Sequence, residues 1–189
     1  MNNRNGKLLD TNTFRLVYIL IAVSLVIAAM LGAVDYITKD AIAEGKASKT
    51  AAAMSEVLPA GSYEKLDAAA ADGIVQSVYQ AMEGAELKGW VVLAGPAGFG
   101  GTISMVVGID TSGCVTGVSI ITMTETSGLG ANALKENFRS QYIGKQGSVS
   151  LSKYGGDIDA LTGATITSKA VTDGVNAALN AVSGLIKVG

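Results

Sequence analysis

The chain has no histidine and a single cysteine, Cys114, in 189 residues. A zinc site of four cysteine or histidine ligands, an iron–sulfur cluster and a Ser-His-Asp triad are therefore excluded within it. One cysteine forms no internal disulfide, so cysteine usage says nothing about compartment. Acidic residues slightly outnumber basic ones, 16 to 14, and no basic surface of the kind nucleic acid requires is present. If such a chain carries electrons, a bound organic cofactor has to hold them.

What the chain does have is one long apolar run. Residues 16–34, LVYILIAVSLVIAAMLGAV, carry no charge. As a helix they span about 28 Å, close to the hydrocarbon thickness of a bilayer. The run is apolar on every face, which a small domain rarely buries. It is also longer than a signal-peptide core and lacks a good small-x-small cleavage site. The expectation is an uncleaved anchor in the lipid bilayer. Arg4, Lys7 and Arg15 precede it, and Lys39, Lys46 and Lys49 follow it. This near-tie leans towards a cytoplasmic N-terminus, because Arg15 borders the span directly.

The remainder reads as α+β, with an antiparallel sheet packed on helices. The expected layout is a tail over 1–13, a transmembrane helix over 14–38, a helical connector over 39–72 and a domain over 73–189. Pro59 and Gly61 end the connector's helix. β-branched runs at 74–81, 87–94, 101–109 and 114–122 predict strands separated by glycine-rich turns, with DTSG (110–113) as a hairpin signal. Leu134, Phe138 and Tyr142 lie four apart, predicting a short helix over 131–144. Val171, Val175, Ala178, Leu179, Val182 and Ile186 follow a 3.6-residue period and predict a last helix beginning between Thr165 and Ser168.

At that helix start stands DALTGATITSKA (159–170), rich in hydroxyls and poor in charge. The first amides of a helix have no intrahelical acceptor, and the helix dipole places partial positive charge there. Gly163 allows close backbone approach, so the segment can hold a phosphate. It can equally be an ordinary cap, with Thr167 or Ser168 satisfying the amides. The residues alone leave both open.

Read whole, Asp159-Ala160-Leu161-Thr162-Gly163-Ala164-Thr165 resembles the flavinylation motif D-x-x-(S/T)-G-A-T of the bacterial FMN-binding domain family. Glu125-Thr126-Ser127-Gly128-Leu129-Gly130 resembles that family's flavin-contacting loop E-T-P-G-L-G, departing at Ser127, where proline is usual. GPAGFGGTISMVVGID (95–110) resembles its glycine-rich strand. Over nearly its whole length the chain is similar to the G-subunit family of Rnf electron-transport complexes. The C subunits of sodium-translocating NADH–quinone oxidoreductases share the domain but are typically longer.

The resemblance implies FMN joined by a phosphoester to Thr165, placed there by a Mg2+-dependent flavin transferase that uses FAD and leaves AMP. Asp159 and Thr162 would then guide the transferase. Thr162, Gly163, Ala164, Thr167, Glu125, Thr126, Gly128, Leu129 and Gly130 would surround the cofactor, and Glu125 would tune it. Phe99 and Trp90 are possible stacking partners, with core packing preferred for Trp90. Lys169 could approach the phosphate or be a solvated surface lysine. Cys114 reads as a small buried hydrophobe. The implied role is an electron-carrying component of a ferredoxin–NAD+ oxidoreductase coupled to Na+ or H+ transport. It would be anchored by one span in the cell membrane, with the flavin outside and other membrane subunits of the Rnf complex as partners. Two alternatives stand beside it: an extracytoplasmic flavin reductase acting on a quinone or small molecule, and a non-redox anchor.

Overall fold

The computed structural model describes residues 11–66 and 73–186. Arg4, Lys7 and most of the expected tail lie outside them. The chain divides between Ala47 and Ser48 into two units. The described part of the first unit, from Thr11, belongs to helix α1 (Thr11–Val57). From Phe14 onward it is long and apolar enough to cross a membrane, and none of its most apolar stretch is buried by the rest of the chain. Leu16, Leu20, Leu25 and Leu31 are all exposed. A run so apolar on every face has lipid as its natural surroundings.

The second unit is an antiparallel sheet covered on both faces. Its strands are β1 (Ser62–Leu66), β2 (Val75–Glu83), β3 (Glu86–Ala94), β4 (Ser104–Asp110) and β5 (Val115–Thr122). They pair in sequence order as a meander. Alternate residues face opposite sides. Val78, Trp90, Val92, Met105, Val107 and Ile109 pack against one side of helix α3 (Thr165–Ile186), chiefly Val171, Val175, Ala178, Leu179 and Val182. These α3 residues are the periodic ones, and their spacing forms one apolar stripe. On the other face Ala81, Val91 and Val106 meet Ala53, Met54, Val57 and Leu58, the last turns of α1 and the residue after it. Cover on both faces explains why β3 reads as a continuous apolar run, WVVLA, rather than an alternating one.

The end of α1 lies very close to the sheet. Gly108 and Gly117 are cross-strand partners. A Cβ on Gly108 would come within 2.7 Å of the Val57 carbonyl oxygen, and one on Gly117 within 3.1 Å of the Val57 Cα. Helix-end carbonyls need outside donors. Here Thr116 Oγ1 donates to the Val57 carbonyl at 2.6 Å and the Tyr63 hydroxyl to the Leu58 carbonyl at 2.8 Å. Glu56 accepts from Ser119 Oγ at 2.7 Å and from Arg139 Nη1 at 2.9 Å.

Two local expectations are corrected. Within the expected connector 39–72 the helix stops at Val57, just before Pro59, but Ser62–Leu66 then forms edge strand β1, paired with β2, where the sequence pattern predicts no strand. Its sequence, SYEKL, is polar and mostly exposed, as sheet edges are. The helix expected over 131–144 is broken. A 3-10 turn (Gly130–Leu134) is followed by extended Lys135, at φ −72° and ψ 141°. The four-residue helix α2 (Glu136–Arg139) and a second 3-10 turn (Ser140–Tyr142) come next. The kink at Lys135 puts Leu134 out of phase. Leu134 is exposed, whereas Phe138 and Tyr142 are buried edge to face, with ring centroids 5.6 Å apart.

Candidate functional site

Two turns of the same design meet at the start of α3. In the first, the Leu129 N–H donates to the Thr126 carbonyl at 3.2 Å around Gly128, whose φ is +78°. In the second, the Ala164 N–H donates to the Leu161 carbonyl at 3.0 Å around Gly163, at φ +74°. Positive φ at the third position is the mark of a type II turn and requires glycine. A Cβ on Gly163 would lie 3.1 Å from Leu129 Cδ2, so the two turns are in contact.

Helix α3 begins at Thr165, within the expected interval. Its first backbone bond runs from the Ser168 N–H to the Ala164 carbonyl at 3.0 Å. The amides of Thr165, Ile166 and Thr167 have no acceptor among the described residues. The capping alternative is not what forms. Thr167 Oγ1 donates to Glu125 Oε2 at 2.6 Å, and Ser168 Oγ accepts the Leu161 N–H at 2.9 Å. The helix start is therefore left open to an outside anion. Thr167 is buried at 1% exposure and its hydroxyl is engaged. Thr165 is half-buried, and its hydroxyl makes no hydrogen bond among the described residues.

Beside Thr165 lies a groove of about 400 Å³. The two turns supply Thr126, Leu129, Gly130, Gly163 and Ala164, and Phe99 and Ile166 add exposed apolar surface. Thr162 and Gly128 do not line it; they border a neighbouring depression with Asn132 and Lys135, on the other side of Leu129. Sequence pattern gives no sign of Ile166. It lies on the exposed side of the first helical turn, where the 3.6-residue stripe of core positions does not reach.

Glu125 is the groove's only ionisable side chain. Beyond its bond to Thr167, its Oε1 accepts the Gly100 N–H at 3.0 Å. It thus ties the glycine-rich loop after β3 to the first turn of α3. Space for it comes from glycine. A Cβ on Gly98 would come within 2.3 Å of Glu125 Oε1, and one on Gly130 within 2.8 Å of Glu125 Oε2.

The other proposed contacts fall elsewhere. Lys169 points away and pairs with Asp173 one turn along α3. Trp90 is buried in the core. Cys114 is half-buried just before β5 rather than fully enclosed. With no lysine or arginine at the groove, phosphate recognition would fall to the α3 amides, and the apolar walls would suit a flat heteroaromatic ring. The residues present fit a flavin mononucleotide.

Comparison with known proteins agrees. Residues 98–180 match the FMN-binding domain, a span that contains every residue lining the groove. NqrC of Shewanella oneidensis has the same fold, with a TM-score of 0.50 at 18% identity over 65% of this chain and 73% of that one. The G subunit of the Na(+)-translocating ferredoxin:NAD(+) oxidoreductase complex of Acetobacterium woodii is 34% identical over 92% of this chain and 93% of its own length. The G subunit of the proton-translocating complex of Clostridium ljungdahlii is 42% identical over 56% of this chain and 59% of its own length. The chain belongs to the G-subunit family of ion-translocating ferredoxin:NAD+ oxidoreductase complexes.

Proposed function

We propose that this protein is a membrane-anchored electron-transfer subunit that carries FMN esterified through its phosphate to Thr165, with the flavin domain on the extracytoplasmic side. The contrast between two neighbouring hydroxyls carries the reading. Thr165 is accessible and unengaged at the open helix start, while Thr167 is buried and held by Glu125. FMN, once attached, supplies the one- and two-electron chemistry that this chain's side chains lack. The chain's part is to hold the phosphate on the amides of Thr165–Thr167 and to shelter the ring between Phe99, Leu129 and Ile166. Glu125 sets the charge beside it.

A covalent link matters outside the cytoplasm. A Kd near 1 nM corresponds to about 12 kcal/mol, yet such a cofactor still escapes when none is free in solution. A phosphoester removes that equilibrium. A small-molecule reductase would need a proton donor at the ring, and the groove's one ionisable side chain is a carboxylate that already accepts two hydrogen bonds.

The test is flavin fluorescence in a denaturing gel after co-expression with the transferase. Thr165→Val should abolish the band and Thr167→Val should keep it; a band that persists in Thr165→Val refutes the assignment. Topology is tested with Ala85→Cys, in the exposed β2–β3 turn, in a Cys114→Ser background. A membrane-impermeant maleimide should label it in intact spheroplasts, and labelling only after lysis would reverse the orientation.

A further inference from the structure

The polar residues of the 159–165 motif do little within the fold. Asp159 and Thr162 are exposed. Neither their side chains nor the Thr165 hydroxyl makes a hydrogen bond among the described residues. Apart from the turn at Gly163, the segment's shape comes from residues outside the motif. Gln141 grips the Asp159 backbone in both directions: its Oε1 accepts the Asp159 N–H at 2.7 Å, and its Nε2 donates to the Asp159 carbonyl at 3.3 Å. Ser168 is fully buried, and its Oγ accepts the Leu161 N–H at 2.9 Å while donating to the Ala164 carbonyl at 2.9 Å. Between these two braces the turn at Gly163 closes. The backbone is fixed while the motif's side chains are free, an arrangement suited to being read by another protein.

We propose that Gln141 and Ser168 are positioning residues that pre-shape segment 159–165 as the substrate of the flavin transferase. The inference rests on Thr165 being the attachment point. In the transfer, the Thr165 oxygen bonds to the FMN-side phosphorus of FAD. The bond from that phosphorus to the bridging pyrophosphate oxygen breaks, and AMP leaves with that oxygen. The hydroxyl proton passes to a base of the transferase, and no electrons change hands. A segment already in the bound shape gives up little conformational entropy on docking. Loosening it should therefore weaken recognition of the chain and leave the chemical step alone.

The experiment uses the full-length apo chain in detergent, the transferase, Mg2+ and FAD, with transfer followed by fluorescence. Gln141→Leu, which removes both bonds to Asp159, should raise the KM for the chain about five- to tenfold, with kcat and the KM for FAD unchanged. Gln141→Glu, which keeps the acceptor for the Asp159 N–H, should recover most of the loss. Hydrogen exchange should show the Asp159 amide protected in wild type and open in Gln141→Leu. Ser168→Ala should behave alike, but it empties a buried position, so the half-buried Gln141 carries the decision. A wild-type KM in Gln141→Leu, or a loss confined to kcat, overturns the inference while Thr165 remains flavinylated in wild type. A wild-type chain with no flavin on Thr165 removes the underlying reading and the inference with it.

Discussion

Replacing Glu125 probes the whole groove, because its carboxylate joins the loop at Gly100 to the first turn of α3. It accepts the Gly100 N–H at 3.0 Å and the Thr167 hydroxyl at 2.6 Å. Hydrogen bonds to a charged group contribute about 1.5–3 kcal/mol each when buried. Glu125 is only half-buried, so the sum is discounted to about 3 kcal/mol for Glu125→Ala. The removal also orphans the Thr167 hydroxyl, which has almost no access to water. Glu125→Gln should cost only about 1 kcal/mol, because its carbonyl can accept from Gly100 while its amide donates to Thr167. For a domain of this size each kcal/mol lowers Tm by roughly 3–5 °C. Glu125→Ala should therefore melt about 10 °C lower, and Glu125→Gln about 4 °C lower. The assay is the fluorescence of Trp90. It is the chain's single tryptophan, and it is buried in the sheet core, so it follows the domain and not α1. A double-mutant cycle with Thr167→Val should return a coupling of about 1–2 kcal/mol. If Glu125→Ala costs no more than an ordinary surface change, about 0.5 kcal/mol, the account of this carboxylate as the groove's tie is wrong.

Three further outcomes follow from single positions. Ser127 occupies the second position of a turn closed by the Thr126–Leu129 bond, where proline's fixed φ is suited; Ser127→Pro should stabilise the domain by about 0.4–1 kcal/mol in the same melts, and a loss would exclude the type II geometry. Gly163→Ala forces a Cβ into positive φ and against Leu129; it should cost about 1–2 kcal/mol and reduce flavin incorporation. Burial pushes the Tyr142 hydroxyl up from 10.0 to about 12, partly offset by its hydrogen bond to Thr172. The folded state then holds a proton that the unfolded chain loses, so this contribution is complete below pH 10 and fades between pH 10 and 12. The stability advantage of wild type over Tyr142→Phe should shrink by about 1.4 kcal/mol between pH 9 and 11. An advantage that is flat with pH would show that Tyr142 titrates normally.

Much of the sheet was legible because β-branched runs separated by glycine turns have few other uses. The DTSG turn is a clear case: Asp110 Oδ1 accepts the amides of Ser112 and Cys114, both at 2.9 Å, as an aspartate at a turn start does. Strand β1 is hidden in the sequence because an edge strand needs no apolar alternation. The 131–144 stretch misleads because four-residue spacing is consistent with a helix but does not require one, and Lys135 breaks the phase. At the site, Thr165 and the two glycine turns were visible as short motifs. The grip of Gln141 on Asp159, the brace of Ser168 and the Glu125–Gly100 link were not. Those bonds depend on how distant segments pack, and a polar residue such as Gln141 carries no local pattern to announce its partner.

The walls of the groove come from Phe99, from residues 125–130 and from the opening turn of α3, and α3 is held chiefly by lying along the finished sheet. A ribosome that has made the first 160 residues has therefore made most of the domain and the Phe99 and 125–130 walls, but not the α3 wall that completes the groove. With Thr165 as the proposed attachment point, loading has an order: α3 must be made and docked before the shaped segment exists. On that proposal, any defect that leaves α3 undocked should yield colourless protein even where Thr165 is intact.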